Sequence, residues 1–343
     1  MKNSINIITS LLGIMLVFLM VSCNSSQDKT KEEGKSAIMV VDALGAKINL
    51  DKPVKRIVCL DEPGLDALFV LGAEKSLVGI FNDVYMSQEL YPYYSKMSAE
   101  IAERKIPAPG LNNQGNIENI IELSPDLVIA ASTQKDLIET LRNAGVQVYA
   151  LNAISEDEVY KTVEDIGMLT GKEDRAEEIV SYTKSEVKRM QGEVAGLDKK
   201  RRVYFTGAHG RIFSTTGING MMHSCLTMAG VENVCPYEVG FPTINPETLI
   251  EWNPDMIVMW NDSPNLFYDR KEFAGIPAIQ NKQIFNLEPM FFYNPHTLKA
   301  LCTATLINEW AYQGDSAQTS QRISEVLQKL YGNEKADRLV ELL

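Results

Sequence analysis

The stretch Asn116–Ala130, NIENIIELSPDLVIA, returns further along the chain as Asn245–Met259, NPETLIEWNPDMIVM. The positions Asn116/Asn245, Glu118/Glu247, Ile121/Ile250, Glu122/Glu251, Pro125/Pro254 and Asp126/Asp255 are identical, and most of the others exchange one apolar residue for another. Both copies read alike. An asparagine N-cap opens a short helix with acids in its first turn. A proline stops the helix, and an aspartate introduces a buried apolar strand. One helix–turn–strand unit used twice implies two lobes of similar build.

The flanking sequence extends the pattern. Lys55–Leu60 is an apolar run after Pro53, followed by a helix over Gly64–Leu71 that stops at Gly72 and a strand over Leu77–Ile80. After the first copy come a helix over Asp136–Asn143 and a strand over Val146–Leu151. Strands alternating with helices predict an α/β fold with parallel sheets. From Ser155 to Gly196 no strand signal occurs. A helix over Ser155–Leu169, with Ser155 and Glu158 as a capping box, is broken at Gly171. A charged helix over Lys172–Ala195 follows and reads as an exposed connection between lobes. The pattern then restarts with a strand over Arg202–Thr206 and a helix over Ile218–Ala229. After the second copy come a strand over Gln283–Leu287 and helices over Leu298–Ala311 and Ser320–Leu330.

The N-terminus reads separately. Lys2 precedes an apolar run from Ile7 to Val21 that ends at LMVSC. This is shorter than a spanning helix and matches a lipoprotein leader over residues 1–22, with Cys23 as the lipidated residue. Met20 stands where leucine is usual. Residues 23–36 are polar and read as a flexible tether. The expected organisation is then a first α/β lobe over 37–171, a linker helix over 172–199, and a second α/β lobe with the terminal helices over 200–343. The net charge is −12, and losing Lys2 with the leader makes it more negative. Such a balance argues against nucleic acid, which needs a basic face. Cys59 and Cys302 read as buried thiols, and a Cys225–Cys235 disulfide is open.

These segments together resemble the substrate-binding proteins of ABC importers for iron–siderophore complexes, cobalamin, haem and related metal compounds. The resemblance rests on the lipobox, VVDALGAKINLDKPVKRIVCLDEPGLDALFVLGAEKSLVGI, the two repeat copies, the single long connecting helix and GINGMMHSCLTMAGVENV. It implies two α/β lobes joined by one long rigid helix, with a ligand cleft between them and no enzymatic activity. It also implies an ABC permease dimer with a cytoplasmic ATPase as partner, met through one glutamate per lobe. Those glutamates fall on Glu118 and Glu247. Ferric siderophore is the first expectation for the ligand, with cobalamin, haem and a molybdate-type oxyanion open. No resident cofactor is expected. The location implied is the exported face of an envelope membrane, held by lipid on Cys23.

Ligands of open α/β sheets bind outside the carboxyl ends of the strands. In the first lobe that rule selects Asp61–Gly64 with Glu62, Phe81–Tyr85 with Asp83 and Tyr85, and Ser132–Gln134 with Thr133. In the second it selects Gly207–Arg211 with His209 and Arg211, Trp260–Asp262 with Asn261, and Glu288–His296 with Met290, Phe292, Tyr293 and His296. Trp260, Phe292 and Tyr293 suit stacking on an organic ligand, and Arg211 suits a carboxylate or anionic chelate. Asp61, Glu62, Tyr85, Met290, His209 and His296 are metal-ligand types, the two histidines foremost. No closely spaced His/Cys set declares a bare-metal site. The motifs GxSxG, GxxxxGK[ST] and HExxH are absent, which argues against an enzyme. A lipidated chelatase, or a surface receptor for chelates without an ABC partner, are the other classes. The receptor has no need of Glu118 and Glu247.

Overall fold

Two four-stranded parallel sheets with the same strand order organise the chain. The structure, a computed structural model, describes residues 38–111, 114–313 and 316–343. The leader, the tether and Cys23 lie outside the described residues. In the first lobe a hairpin of β1 (Ile38–Val41) and β2 (Lys47–Leu50) precedes β3 (Ile57–Cys59), α1 (Glu62–Val70) and β4 (Leu77–Ile80). Next come α2 (Asp83–Met86), α3 (Leu90–Met97), α4 (Ile117–Glu122), β5 (Leu127–Ala131), α5 (Lys135–Asn143) and β6 (Val148–Leu151). The sheet runs β4-β3-β5-β6.

Two helices, α6 (Glu156–Thr170) and α7 (Glu173–Val194), then lead to β7 (Arg202–Thr206), α8 (Met221–Met228) and the short β8 (Glu232–Asn233). The second lobe continues with α9 (Pro246–Trp252), β9 (Met256–Trp260) and β10 (Ile284–Leu287). Its sheet runs β8-β7-β9-β10. Numbered within each lobe, both orders are 2-1-3-4. The central strands are buried on both faces, as expected where helices cover a parallel sheet.

The repeat has a concrete structural cause. Asp126 Oδ2 accepts the backbone N–H groups of Lys55 and Arg56 at 2.8 and 3.0 Å, at the entry to β3. The Arg56 guanidinium turns back onto the carbonyls of Leu123 and Ser124 at the end of α4. In the second lobe Asp255 Oδ2 accepts the Arg202 N–H at 3.1 Å, and Arg202 reaches the carbonyls of Trp252 and Asn253. Each lock thus joins a helix end to the start of the central strand beside it. The N-caps match as well: Asn116 and Asn245 accept the N–H three residues on at 3.0 and 2.8 Å.

The structure departs from the sequence reading at α7, at the start of α8 and in the terminal helices, and it answers the cysteine pairing left open. Helix α7 is not exposed all round: Ala176, Ile179, Val180, Thr183, Val187, Met190 and Val194 form one buried face. Helix α8 begins only at Met221, because Gly217 and Ile218 donate to the carbonyls of Gly240 and Tyr237. A Cβ on Gly217 would lie 2.1 Å from the Val239 carbonyl, so only glycine fits there. Cys225 and Cys235 are both buried free thiols. The terminal helices, expected with the second lobe, cross back onto the first. After α10 (Ala300–Asn308), α11 (Ser316–Tyr331) and α12 (Asn333–Val340) reach α1 and α3. Tyr331 donates to Asp66 at 2.7 Å, Lys335 pairs with Glu74 and Lys96 with Glu341. Arg175 of α7 caps Lys329 and Leu330 of α11 and also reaches the Val70 carbonyl at the end of α1.

The two Arg–Asp locks act in separate lobes. Replacing Asp126 or Asp255 by alanine leaves backbone donors without their acceptor. Water reaches these strand entries and can replace the lost acceptor, so each change is expected to cost about 0.5–1.5 kcal/mol, and the double variant the sum. Denaturant titration of the three variants checks both the size and the additivity.

Candidate functional site

The loop after β10 forms the seam between the lobes. Met290–Tyr293 make a tight 3₁₀ turn that directs Phe292 and Tyr293 inward, at 1 % and 5 % exposure. Phe292 packs 5.8 Å from Tyr93 of α3. Neither ring is free to stack on a ligand, which corrects the expectation for both. Asn294 then donates to Glu62 Oε2, and Lys299 Nζ reaches Glu62 Oε1 at 2.9 Å and Asp66 Oδ1 at 3.6 Å. Tyr94 donates to Glu62 Oε1 at 3.0 Å. With both oxygens engaged inside the protein, Glu62 leaves the set of ligand-reading residues. Lys299 is fully buried, and the two acids hold its ammonium well above the ordinary lysine range. Burial and the Glu62 charge push Asp66 up, and Lys299 offsets this only in part, so two carboxyls share one ammonium.

His296 belongs to the same seam. Its Nδ1 lies 2.6 Å from the Ala153 carbonyl of the first lobe. A carbonyl only accepts, so Nδ1 carries a hydrogen. The ring lines a small cavity of about 10 Å³ with Pro63, Asp66 and Val159. His296 therefore works as a contact between lobes. Tyr85 is also engaged, donating to the Ile106 carbonyl at 2.8 Å.

The other candidates lie around the seam. Trp260 is half-buried at the end of β9, where its Nε1 donates to the Met290 carbonyl at 3.4 Å. Asn261, with φ 54°, donates to Glu89 Oε1 of the first lobe at 3.3 Å, so it sits across from that lobe. His209 and Arg211 are exposed in the turn after β7, which Asp262 ties down by accepting the Gly210 N–H at 2.6 Å. Arg211 Nε donates to the Ala208 carbonyl at 3.0 Å, and among the described residues its guanidinium pairs with no carboxylate. Met290 and Asp83 are half-exposed. Thr133 is exposed and lines a hollow of about 660 Å³ with Gly115, Ile117 and Lys135, all in the first lobe. Glu118 and Glu247 are exposed in matched first turns. Among the described residues no group of three His, Cys, Asp or Glu side chains could hold a metal ion.

Sequence reasoning passed over several residues here. Glu89 has one carboxylate oxygen on Asn261 and the other buried with no hydrogen-bond partner among the described residues. Arg104 is stacked over Tyr91 and Tyr85, at 4.7 and 5.3 Å from the ring centroids. Tyr237, Val239 and Phe241 alternate outward as an exposed apolar strip before α9. Alternation in PYEVGF was a usable signal for the strip. Nothing in the local sequence marks the other two.

Asp61, at the end of β3, has its carboxyl pushed up to about 7, first by burial and then by the adjacent Glu62 charge. A raised carboxyl binds its proton more tightly in the native state. Its contribution to stability is complete at acid pH and fades as pH rises from about 4 towards 7. The unfolding free energy of the wild type minus that of Asp61→Asn should therefore fall across this window. Denaturation at stepped pH tests it, and a flat difference would contradict the assignment.

A family model described as "Periplasmic binding protein" matches residues 57–290, which takes in strands of both sheets. An uncharacterized ABC transporter substrate-binding lipoprotein of Bacillus subtilis is 24% identical over 289 residues, covering 80% of this chain and 88% of that protein. The molybdate-binding protein of Haemophilus influenzae is 23% identical, over 72% of this chain and 76% of its own length. The crystal structure of a periplasmic solute binding protein from Veillonella parvula superposes with a TM-score of 0.70 at 17% identity, covering 86% of this chain and 93% of that one.

Proposed function

The chain belongs to the periplasmic binding protein family, and from that membership we propose that it is the lipid-anchored receptor of an ABC importer for a metal chelate. The family match across both lobes is the observation that carries this reading. The work is capture and delivery. Ferric siderophore is the first choice of ligand, with cobalamin and haem as alternatives. Arg211, with no acid partner among the described residues, supplies a cation for an anionic chelate in a chain of net charge −12. Trp260, half-buried at the end of the neighbouring strand, supplies a flat apolar surface. The molybdate-binding relative favours a second reading, a compact oxyanion held by Arg211 without the stacking surface.

Export and attachment through Cys23 belong to the same proposal, supported by the lipobox and the lipoprotein relative. The ATP-driven permease dimer is met through Glu118 and Glu247, one exposed carboxylate in the first turn of the repeated helix in each lobe. Helix electrostatics alone explains a glutamate at either place, worth about 0.3–1 kcal/mol. Matched placement in two lobes favours a partner with two equivalent faces.

Native mass spectrometry of the chain without its first 23 residues tests the ligand class, using ferric siderophores, haem, cobalamin and molybdate. A one-to-one adduct with a ferric siderophore that Arg211→Ala weakens about tenfold or more is expected. Adducts with molybdate alone would replace the first choice with the second. For docking, Glu118→Lys combined with Glu247→Lys should abolish uptake in cells while leaving adduct formation intact. Normal transport by that double variant would refute the carboxylate contact.

A further inference from the structure

Contacts across the seam between the lobes are of two kinds. Around Lys299 they are buried and closely partnered, with Glu62 accepting from Lys299, Tyr94 and Asn294. At the end of β9 the contact is thinner. Asn261 Nδ2 donates to Glu89 Oε1 at 3.3 Å, just beyond the usual N–H···O range. The other oxygen of Glu89 is buried with no hydrogen-bond partner among the described residues.

This bond places neither residue. The Asn261 N–H donates to the Leu287 carbonyl at 3.1 Å, and the next N–H, of Asp262, donates to Asn286 Oδ1 at 3.0 Å. The φ of 54° at Asn261 lies in the left-handed region, which asparagine tolerates. Glu89 stands just before α3, where Ser87 Oγ accepts the N–H groups of Glu89 and of buried Leu90, both at 3.1 Å. Each lobe therefore holds its own member of the pair without help from the other. A carboxylate oxygen shut away without a donor is costly. The pair is poised to take a better partner than its members give each other.

The chemistry of that partner follows from the two side chains. Glu89 only accepts, whereas the Asn261 amide nitrogen donates. An amide group answers both. Its N–H supplies the donor that Glu89 lacks, and its carbonyl accepts from Asn261. An oxyanion or a peripheral carboxylate offers acceptors alone and sets its charge against Glu89. The place also suits a ligand. It lies at the carboxyl end of β9 beside half-buried Trp260, where open α/β sheets hold their ligands.

We propose that Glu89 and Asn261 form an amide-reading pair, which exchanges its internal bond for bonds to the ligand. The inference rests on the proposed receptor role and deepens it by naming the ligand's class, a metal chelate with carboxamide or peptide-type amides on its periphery. Within that role it ranks amide-bearing siderophores and corrinoids above haem, ferric citrate and molybdate, none of which carries an amide. Arg211 is left to meet an acidic group elsewhere on the same ligand.

Isothermal titration calorimetry on the full chain in detergent tests the pair. Ferrioxamine B and cobalamin are the amide-bearing probes, and ferric citrate, haem and molybdate are the probes without amides. The wild type should bind one of the first group about tenfold or more tightly than any of the second. Glu89→Gln keeps the shape and still accepts from Asn261, but it turns an NH2 donor towards the ligand. It should weaken the amide-bearing probe about tenfold or more and weaken any probe of the second group far less. Asn261→Gly keeps the left-handed backbone and should weaken the same amide-bearing probe about fivefold. Unchanged thermal melting separates lost reading from lost fold. Equal losses for every probe, or no loss, in variants that melt normally would refute the pair and leave the receptor reading in place. Tight binding of ferric citrate, haem or molybdate alone would do the same. If the wild type bound no probe of either group, the receptor reading would fail and this inference with it.

Discussion

One buried ammonium holds the lobes together. Lys299 has no exposed surface, lies 2.9 Å from Glu62 and 3.6 Å from Asp66, and sits 4.5 Å from the ring centroid of Tyr93. Through Tyr331 and Tyr94 the same cluster engages α11 and α3, and through Asn294 it engages the loop after β10. Removing such a charge from water is costly, and the cluster persists because every member has partners. Its members come from distant parts of the chain, and these polar contacts tie the lobes together within an apolar cluster that runs through both. A stiff α7 alone would leave their relative position looser.

The duplicated unit serves the fold first. An arginine and an aspartate, Arg56 with Asp126 and Arg202 with Asp255, join a helix end to the start of a central strand in each lobe. Left-handed Ser124 and Asn253, with φ of 47° and 49°, make the turn before each proline. The two sheets then fan out in the same order. The repeat therefore carries two kinds of information in neighbouring residues: inward groups that set the architecture and an outward face that the architecture does not require.

Most strands and helices of the two sheets were legible, while the β1–β2 hairpin, α2, α3, β8 and α12 went unread. Buried parallel strands appear as short apolar runs, and the helix caps and Pro-Asp turns appear as residue types at fixed spacing. The two-lobe α/β plan and the matched glutamates follow from those local signals. What was not legible depends on distant contacts. Phe292 and Tyr293 are aromatic residues in a loop at a strand end, and only tertiary packing, Phe292 on Tyr93 and Tyr293 on Phe292, shows them turned inward. Glu62 shows no local sign of its partner, since Lys299 lies 237 residues away. A lone lysine opening the uncharged run ALCTATLIN was the one available hint that a buried acid waited elsewhere. The same limit applies to His296, whose ring is claimed by the Ala153 carbonyl.

The return of α11 and α12 to the first lobe also bears on how the chain acquires its shape. The helices α1 and α3 are covered by residues synthesised much later, with Lys96 meeting Glu341 across 245 positions. A chain emerging from its N-terminus can form the β4-β3-β5-β6 sheet early, but it cannot close that lobe until α11 and α12 arrive. Until then the Glu62–Asp66 pair has no lysine, and apolar surface on α1 stays open. The architecture thus delays completion of the first lobe, so that lobe stays open for as long as α11 and α12 are still to come.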